Sequence, residues 1–224
     1  MGLAELAANA RTRKIELFFF RKQWVRLTAD MKTHTRFYLS VIMVLSLATA
    51  NFAQTASHQV VLNFVPAKAT VKFTLAASLH SVHGSFSLKS GAVHFDPASG
   101  KVSGEIVLDA ASGQTGNEGR DKKMHGAVLE SGHYPEIVFH PDRVEGQFAA
   151  QGVSTLQVHG IFALHGAEHE MTIPVRMETS PGRWTATSSF AIPYVKWGMK
   201  NPSTFILRVE QSVDLEVQAS GDLP

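Results

Sequence analysis

The chain has 224 residues, of which 44% are hydrophobic, and no cysteine, so disulfides, thiolate catalysis and cysteine-ligated metal are excluded. Its formal net charge is +2 at pH 7, yet eight of the 21 basic residues and only three of the 19 acidic ones lie within residues 1–50. The rest of the chain carries about three more acids than bases, which gives no support for nucleic-acid binding.

The first predicted feature in chain order is an export signal that begins at Met31. Lys32 and Arg36 precede an uncharged apolar run over residues 37–50, which is too short to cross a bilayer as a stable helix. The small residues of Ala48-Thr49-Ala50 close this run, as signal peptidase requires. The pattern is typical of a secretory signal peptide.

This signal divides the chain into three parts. We predict an over-extended N-terminus over residues 1–30, a signal peptide over 31–50 that is cleaved near Ala50/Asn51, and a single domain over 51–224. The mature protein is then expected to be periplasmic or secreted and to have no transmembrane span. The alternative is an uncleaved anchor preceded by a cytoplasmic tail.

The predicted domain alternates apolar and polar side chains in segment after segment. A β-strand directs successive side chains to opposite faces, so this period predicts strands with one dry and one wet face. In chain order the segments are 71–75, 84–88, 93–95, 102–108, 137–139, 156–164, 171–177, 184–190 and, longest of all, 205–219. About eight or nine strands separated by turn residues predict an all-β antiparallel sandwich or barrel, in which Pro174 indicates an edge, a bulge or a corner.

One segment, residues 110–134, lacks the two-residue period and carries helix signals. Asn117 or Thr115 is a candidate N-cap, Glu118 and Asp121 fall in an early turn where the helix dipole favours acids, and Gly132 is a candidate stop. We expect one short amphipathic helix inserted between strands. It would close one end of a barrel either as a plug that completes the core or as a lid.

Several short motifs of the domain resemble the YceI-like family of exported, lipocalin-like lipid-binding proteins. The matching residues are Asp109-Ala110-Ala111-Ser112, Thr115-Gly116-Asn117, Arg120-Asp121, Tyr134-Pro135, Val158-His159-Gly160, Leu164-His165-Gly166 and Val213-Asp214-Leu215. The resemblance covers roughly residues 60–219. The chain departs from the family pattern at 194–199 and at 166–170, which affects the expected ligand more than the expected fold.

The resemblance implies an antiparallel lipocalin-like β-barrel of about eight strands with one short inserted helix. Its apolar lumen would hold the tail of a polyisoprenoid, an isoprenoid quinone, or a fatty acid or amide. Small residues in dry strand positions, Gly104, Gly160, Ala186 and Ser188, would leave room for it. The candidate lumen residues are Phe73, Phe86, Phe95, Ile106, Leu108, Phe139, Val158, Phe162, Met171, Ile173, Trp184, Phe190, Leu207 and Val209.

Ligand specificity would then depend on the mouth of the barrel, where cations can meet a polar headgroup. The candidate mouth residues are Arg120, Lys123 and Met124 on the predicted helix and Lys196 and Trp197 further along the chain. No cofactor is expected.

Two further chemistries are weighed against binding alone. His165 and His169 are four residues apart, which on a helix would suit one metal ion, but Gly166 indicates a turn, so we predict no metal site. Ser112, His125 and Asp109 are candidates for a hydrolase, although no catalytic motif accompanies them. We predict that the protein is not an enzyme.

Three other possibilities stay open at this point. One is a barrel filled by its own side chains that serves as a periplasmic partner-binding module. Another is an outer-membrane barrel, because alternation alone does not say whether the apolar face points inward or outward. The third is a homodimer.

Overall fold

The computed structural model describes residues 59–223, so the predictions for residues 1–30 and 31–50 and for cleavage near Ala50/Asn51 lie outside the described residues. The strands are β1 (Val60–Asn63), β2 (Ala69–Leu75), β3 (Val82–Phe95), β4 (Val102–Gln114), β5 (Glu136–Glu145), β6 (Gly152–Leu164), β7 (Ala167–Ser180), β8 (Arg183–Ile192) and β9 (Val213–Asp222). A 3-10 turn over Pro66–Lys68 precedes β2. One short helix, α1 (Glu118–Lys123), continues as a π-helical turn over Met124–Val128.

All paired strands are antiparallel, in the order β1-β3-β2-β9-β8-β7-β6-β5-β4, and a further pairing of β3 with β4 closes the sheet on itself. The eight strands β2 to β9 therefore form a closed barrel. The extra strand β1 pairs with β3 beyond the part of β3 that pairs with β2. The prediction of an all-β, lipocalin-like barrel of about eight strands with one short inserted helix is confirmed.

The alternation along the strands separates the inside of the barrel from the outside. Val71 and Phe73 of β2 are buried and pair with Val217 and Leu215 of β9, which line the same interior. Lys72, between them, is exposed. The apolar face is thus turned inward, the reverse of a barrel whose apolar face meets lipid.

The connections between strands lie at two ends of the barrel. Residues 76–81, 115–135, 165–166 and 193–212 connect strands at one end, the mouth end. The shorter connections 96–101, 146–151 and 181–182 lie at the other, the closed end. A buried cluster fills the closed end, formed by Leu62, Val93, Phe95, Val102, Leu156, Met177, Trp184 and Ala219.

The longest predicted strand, 205–219, is wrong in its first half. Residues 199–212 form an irregular loop, and β9 begins only at Val213. Within this loop the Asn201 side-chain amide donates to the Val209 carbonyl (3.2 Å), and the Val209 N–H donates to the Ser203 hydroxyl (2.9 Å). Side chains therefore satisfy backbone groups that a strand would pair through its ladder.

The inserted helix is shorter than the segment 110–134, because β4 continues to Gln114. Asn117 is the N-cap, and its side-chain oxygen accepts from the Arg120 N–H at 3.0 Å. Glu118 and Asp121 occupy the first turn, as predicted. In the described part of the chain, no helix has the length and apolar character needed to span a membrane.

His125 anchors the helical segment to the end of β4. Its Nε2 lies 2.8 Å from the Gly113 carbonyl and its Nδ1 lies 3.0 Å from the Ser131 hydroxyl. Because a carbonyl only accepts, Nε2 donates to Gly113, while Nδ1 shares a hydrogen bond with the Ser131 hydroxyl. These two hydrogen bonds attach the helical segment to Gly113 of β4 and to Ser131, which follows the π-helical turn.

The barrel wall changes character where Pro174 interrupts β7. β7 pairs with β6 along its whole length but pairs with β8 only from Arg176 onward. The Ser188 hydroxyl donates to the Pro174 carbonyl (2.6 Å), so a side chain continues the contact beyond the last ladder pair. Pro174 marks an edge within the sheet, as its lack of an N–H predicts.

Candidate functional site

An apolar cavity of about 400 Å³ lies inside the barrel, and its lining extends from the closed end to the mouth end. Ligand pockets typically measure about 300–1,000 Å³, so this space has the size of a small-molecule site. The structure brings twelve of the predicted lumen residues to its wall: Phe73, Phe86, Phe95, Ile106, Leu108, Phe139, Val158, Phe162, Ile173, Phe190, Leu207 and Val209.

Two residues predicted in the lumen, Trp184 and Met171, are not in its lining. Trp184 is only 1% exposed and packs edge-on against Phe64, at a centroid distance of 5.0 Å, within the closed-end cluster. Met171 packs in a second cluster that also contains Trp197. Both side chains follow the inward phase of their strands, but they pack within these clusters and are absent from the cavity lining.

The small residues expected to leave room divide into two kinds. Ala186 and Ser188 of β8 do line the cavity. Gly160 instead lies under the Phe139 ring, where an added Cβ would come within 2.7 Å of ring carbons. Gly104 has φ +114, and a Cβ there would approach the Ala92 carbonyl oxygen to 2.1 Å. These two glycines serve close backbone and ring packing and do not line the lumen.

Arg120 of α1 is the half-buried cation at the mouth of the cavity. Its Nε donates to the Thr115 hydroxyl (2.9 Å) and its Nη2 donates to the Thr115 carbonyl (3.2 Å). The Thr115 N–H and hydroxyl both donate to the Asp121 carboxylate. Within residues 59–223 no carboxylate forms a direct salt bridge with Arg120, and Asp121 is linked to the guanidinium only through Thr115.

Lys123 and Met124 also line the cavity at this end. The Lys123 ammonium donates to the Pro202 carbonyl at 2.9 Å, which ties the helix to the 199–212 loop. A Cβ at Gly113 would lie 2.9 Å from the Met124 methyl, so this glycine lets the methionine pack closely on β4. The mouth is therefore built from two long connections that contact each other.

Comparison with known proteins gives the same architecture. The family model of the YceI-like domain matches residues 62–220. The chain belongs to the YceI-like family.

Three solved structures share the fold of this YceI-like chain, at low identity. Burkholderia cenocepacia BcnA is 19% identical with a TM-score of 0.57, covering 70% of this chain and 99% of that one. A polyisoprenoid binding domain from Saccharophagus degradans, implicated in plant cell wall breakdown, is 14% identical with a TM-score of 0.56, covering 74% and 98%. The Campylobacter jejuni YCEI protein is 16% identical with a TM-score of 0.53, covering 65% and 86%. No curated protein matches the chain.

Lys196 and Trp197, predicted at the mouth, are not in the cavity wall of this YceI-like barrel. The Trp197 ring stacks on His169 at a centroid distance of 4.2 Å and packs beside Phe162. Lys196 is exposed. The turn that carries both residues covers β7 where β8 no longer pairs with it, so it completes the wall and does not frame the opening.

The YceI-like fold also separates the candidate hydrolase residues. The Ser112 hydroxyl donates to the backbone carbonyl of Asp109 (2.6 Å) and accepts from the Ser87 N–H (2.8 Å). His125 is hydrogen-bonded to Gly113 and Ser131, as described above. No nucleophile–base pair is formed by these three residues.

His165 and His169 are held in different surroundings. His165 and Gly166 are the two residues of the β6–β7 turn, with φ of 54° and 74°, and His165 Nε2 lies 3.4 Å from Glu130. Burial lowers the pKa of His169, whose Nε2 has no hydrogen-bond partner among the described residues. No group of three or more potential metal ligands occurs in residues 59–223.

The site also contains residues that were not predicted from the sequence, among them three with polar groups. Tyr194 is buried in the cavity wall, and its hydroxyl donates to the Glu210 carbonyl (2.7 Å). Thr115 and His80 also line the mouth. Thr115 and Arg120 lie on either side of the N-cap Asn117, and this spacing could have predicted their contact. Tyr194 and His80 lie in irregular connections, where no periodicity predicts which way a side chain faces.

Proposed function

We propose that this YceI-like protein holds one long apolar molecule in the barrel lumen and performs no chemistry on it. The observation that carries the proposal is the apolar cavity that extends through a closed barrel. The candidate ligands are a polyisoprenoid, an isoprenoid quinone, or a fatty acid or amide. The Saccharophagus degradans structure, a polyisoprenoid binding domain of the same fold, supports this class of ligand.

The energetics of burial favour a chain-like ligand. Transfer of one CH₂ from water to an apolar site contributes about 0.8 kcal/mol, so a five-carbon isoprene unit offers roughly 3–4 kcal/mol before ordering costs. A few units therefore suffice for stable binding. Because affinities saturate and a flexible tail is costly to order, added length contributes little once the cavity is full.

Arg120 supports a polar or anionic headgroup at the mouth. Thr115 orients its guanidinium, and the donors on Nη1 make no hydrogen bond to the described residues. A phosphate or carboxylate group placed there would gain charge-assisted hydrogen bonds. The ligand would then lie with its tail toward the closed end and its head at α1.

The N-terminal pattern supports a location outside the cytoplasm. With a signal peptide at residues 31–50, the domain acts in the periplasm or is secreted. There it would carry, store or protect a molecule that water does not dissolve. The ligand-free alternative, a filled barrel that binds a partner, is disfavoured by the volume of the cavity.

The decisive experiment is native mass spectrometry of protein recovered from cells that export it, followed by denaturing extraction of any lipid. We expect one lipid per protein. Ala186→Phe, which adds a ring to the cavity wall, should abolish or shorten the bound species. Ser189→Phe, on the outer face of the same strand, is the matched control and should keep it. Protein that stays empty when offered polyprenyl, quinone and acyl lipids contradicts the proposal.

A further inference from the structure

Phe205 and Ile206 project from the mouth end as the tip of the 199–212 loop. The Thr204 N–H donates to the Leu207 carbonyl (2.8 Å), and the Leu207 N–H donates to the Thr204 hydroxyl (3.1 Å), so the two residues are the central pair of a tight turn. Their relative exposures are 103% and 81%. Tight turns favour Gly, Pro, Asn, Asp and Ser, so two large apolar residues there are not explained by turn geometry.

A third exposed apolar side chain belongs to the neighbouring connection. The Ser78 N–H donates to the Arg208 carbonyl (2.9 Å), and the Arg208 N–H donates to the Ser78 hydroxyl (3.2 Å). This antiparallel contact carries Leu79, which is 72% exposed, toward the 204–207 turn. We call Leu79, Phe205 and Ile206 the apolar tip.

The apolar tip adjoins the opening of the cavity. Leu207 and Val209 of the same loop line the cavity wall, as do Ala77 and His80 on either side of Leu79. The two connections therefore turn some apolar side chains into the lumen and the others outward. The exposed tip and the cavity lining are therefore adjacent along the same two connections.

The charges around the tip differ from those of the domain as a whole. The connection 193–212 carries three cations, Lys196, Lys200 and Arg208, and one acid, Glu210, although acids exceed bases beyond residue 50. Lys123 reaches the same loop at Pro202. A protruding apolar tip with cations beside it matches an apolar layer under an anionic surface, which is the arrangement of a bilayer with anionic headgroups.

We infer that the apolar tip inserts into the surface of an anionic bilayer and places the barrel mouth at the membrane. A stable protein interface buries about 800 Å² on each partner, and three side chains on narrow turns do not offer such an area. The inference rests on the proposed function in one respect: an apolar ligand would then pass between bilayer and lumen without crossing water. The docking itself is independent of which ligand is bound.

The first test measures binding of the exported protein to phosphatidylglycerol/phosphatidylcholine vesicles by co-sedimentation. The double variant Phe205→Ser/Ile206→Ser should bind at least about tenfold more weakly, because each residue loses its apolar burial. Val153→Ser removes an exposed apolar side chain at the closed end and should leave binding unchanged. Lys200→Gln/Arg208→Gln should weaken binding to these vesicles by about fivefold per cation and lower its salt sensitivity.

The second test measures contact between residue 205 of the tip and the acyl chains of the bilayer. Phe205→Trp and Val153→Trp each add tryptophan fluorescence. Brominated acyl chains should quench the fluorescence added at position 205 and leave that added at position 153 unchanged. Each variant differs from the wild type only in the added indole. The fluorescence difference between variant and wild type therefore excludes any quenching of the native tryptophans by vesicle contacts elsewhere in the chain. Circular dichroism checks that all variants keep the strand signal.

These outcomes separate the two proposals. Vesicle binding that is equal in the wild type and the Phe205→Ser/Ile206→Ser variant, or an unquenched indole at position 205, overturns membrane docking. Native mass spectrometry of the same samples reports the bound lipid independently. A variant that keeps its lipid but loses the vesicles confirms docking, and a wild type that keeps its lipid without binding vesicles refutes docking alone.

Discussion

The closed end and the mouth end of the barrel are built from the same strands but in opposite ways. At the closed end, short connections bring strands together over Trp184, which is packed between Phe64 and Gly221. At the mouth end, the connections 115–135 and 193–212 leave the sheet and carry polar networks and exposed side chains. The difference indicates that the closed end stabilises the fold, whereas the mouth end presents the cavity opening to the surroundings.

The largest loss of stability is expected from removing the large side chain that fills the closed end. Trp184→Ala should lower the free energy of unfolding by about 3–5 kcal/mol, since it removes a fully buried ring and leaves a cavity. Urea denaturation monitored by circular dichroism measures this change. Trp197→Ala, at the partly exposed mouth-end indole, is the comparison, and an equal loss there would contradict the division of roles between the ends.

A smaller loss is expected where the closed end lacks room for one methyl group. A Cβ at Gly221 would lie 2.5 Å from Trp184 Nε1, so Gly221→Ala should cost about 1–3 kcal/mol. The matched change at the mouth end is Gly126→Ala in the π-helical turn, where nothing beyond the neighbouring backbone of that turn lies within 4 Å of the added Cβ. It should be neutral or slightly stabilising by thermal denaturation. Similar melting shifts for both variants would show that the ends are packed alike.

The hydrogen bond from Tyr194 to the Glu210 carbonyl is expected to stabilise the mouth end, and a substitution of Tyr194 tests this. Tyr194→Phe leaves the Glu210 carbonyl without its donor and should cost about 1 kcal/mol at neutral pH. Burial, aided by Glu210, raises the pKa of Tyr194 to about 12. The unfolded chain therefore ionises at lower pH than the folded one, and the wild type should lose stability as pH rises from about 10 to about 12.

Denaturation midpoints of the two proteins across that range provide the measurement. Tyr194→Phe should show a shallower alkaline loss than the wild type. Parallel pH curves would mean that the phenol is not held in its neutral form by the mouth-end packing.

The smallest effect concerns the wall beside the mouth. Burial lowers the pKa of His169, so the unfolded chain takes up a proton at higher pH than the folded chain. Stability contributed by the neutral ring is present above about pH 6.5 and is lost as pH falls below it. His169→Phe keeps a flat ring against Trp197 and should show a smaller acid-induced loss in urea midpoints. His133→Phe, at an exposed residue, should follow the wild type.

Strand alternation predicted an antiparallel sandwich or barrel, and the resemblance to the YceI-like family selected the barrel. The alternation matched the structure in most strands because their inward side chains are apolar. It failed at 205–219 for a physical reason. In that loop Leu207 and Val209 turn inward to the cavity, so they reproduce the period of a strand without its ladder. Periodicity records which side chains face the interior and does not record how the backbone is paired.

The candidate site was predictable in its lining and less so at its mouth. Most lumen residues follow from the dry phase of the strands, whereas Trp184 and Met171 share that phase but pack in apolar clusters outside the cavity lining. Arg120 was identified from the helix signals. Lys196 and Trp197 were misplaced, because nothing in their sequence shows that the turn carrying them packs against β7. Contacts between distant segments decide such cases.

One pairing described above also governs how the chain acquires its shape. Most barrel strands pair with a neighbour in sequence, but β2 pairs with β9, joining residues 69–74 to residues 214–219. Closing so long a loop is slow, because the chain loses its entropy before the contacts reward it. The interior is therefore sealed only after the C-terminal strand is available, and chains that stop before β9 would expose the apolar lining to aggregation.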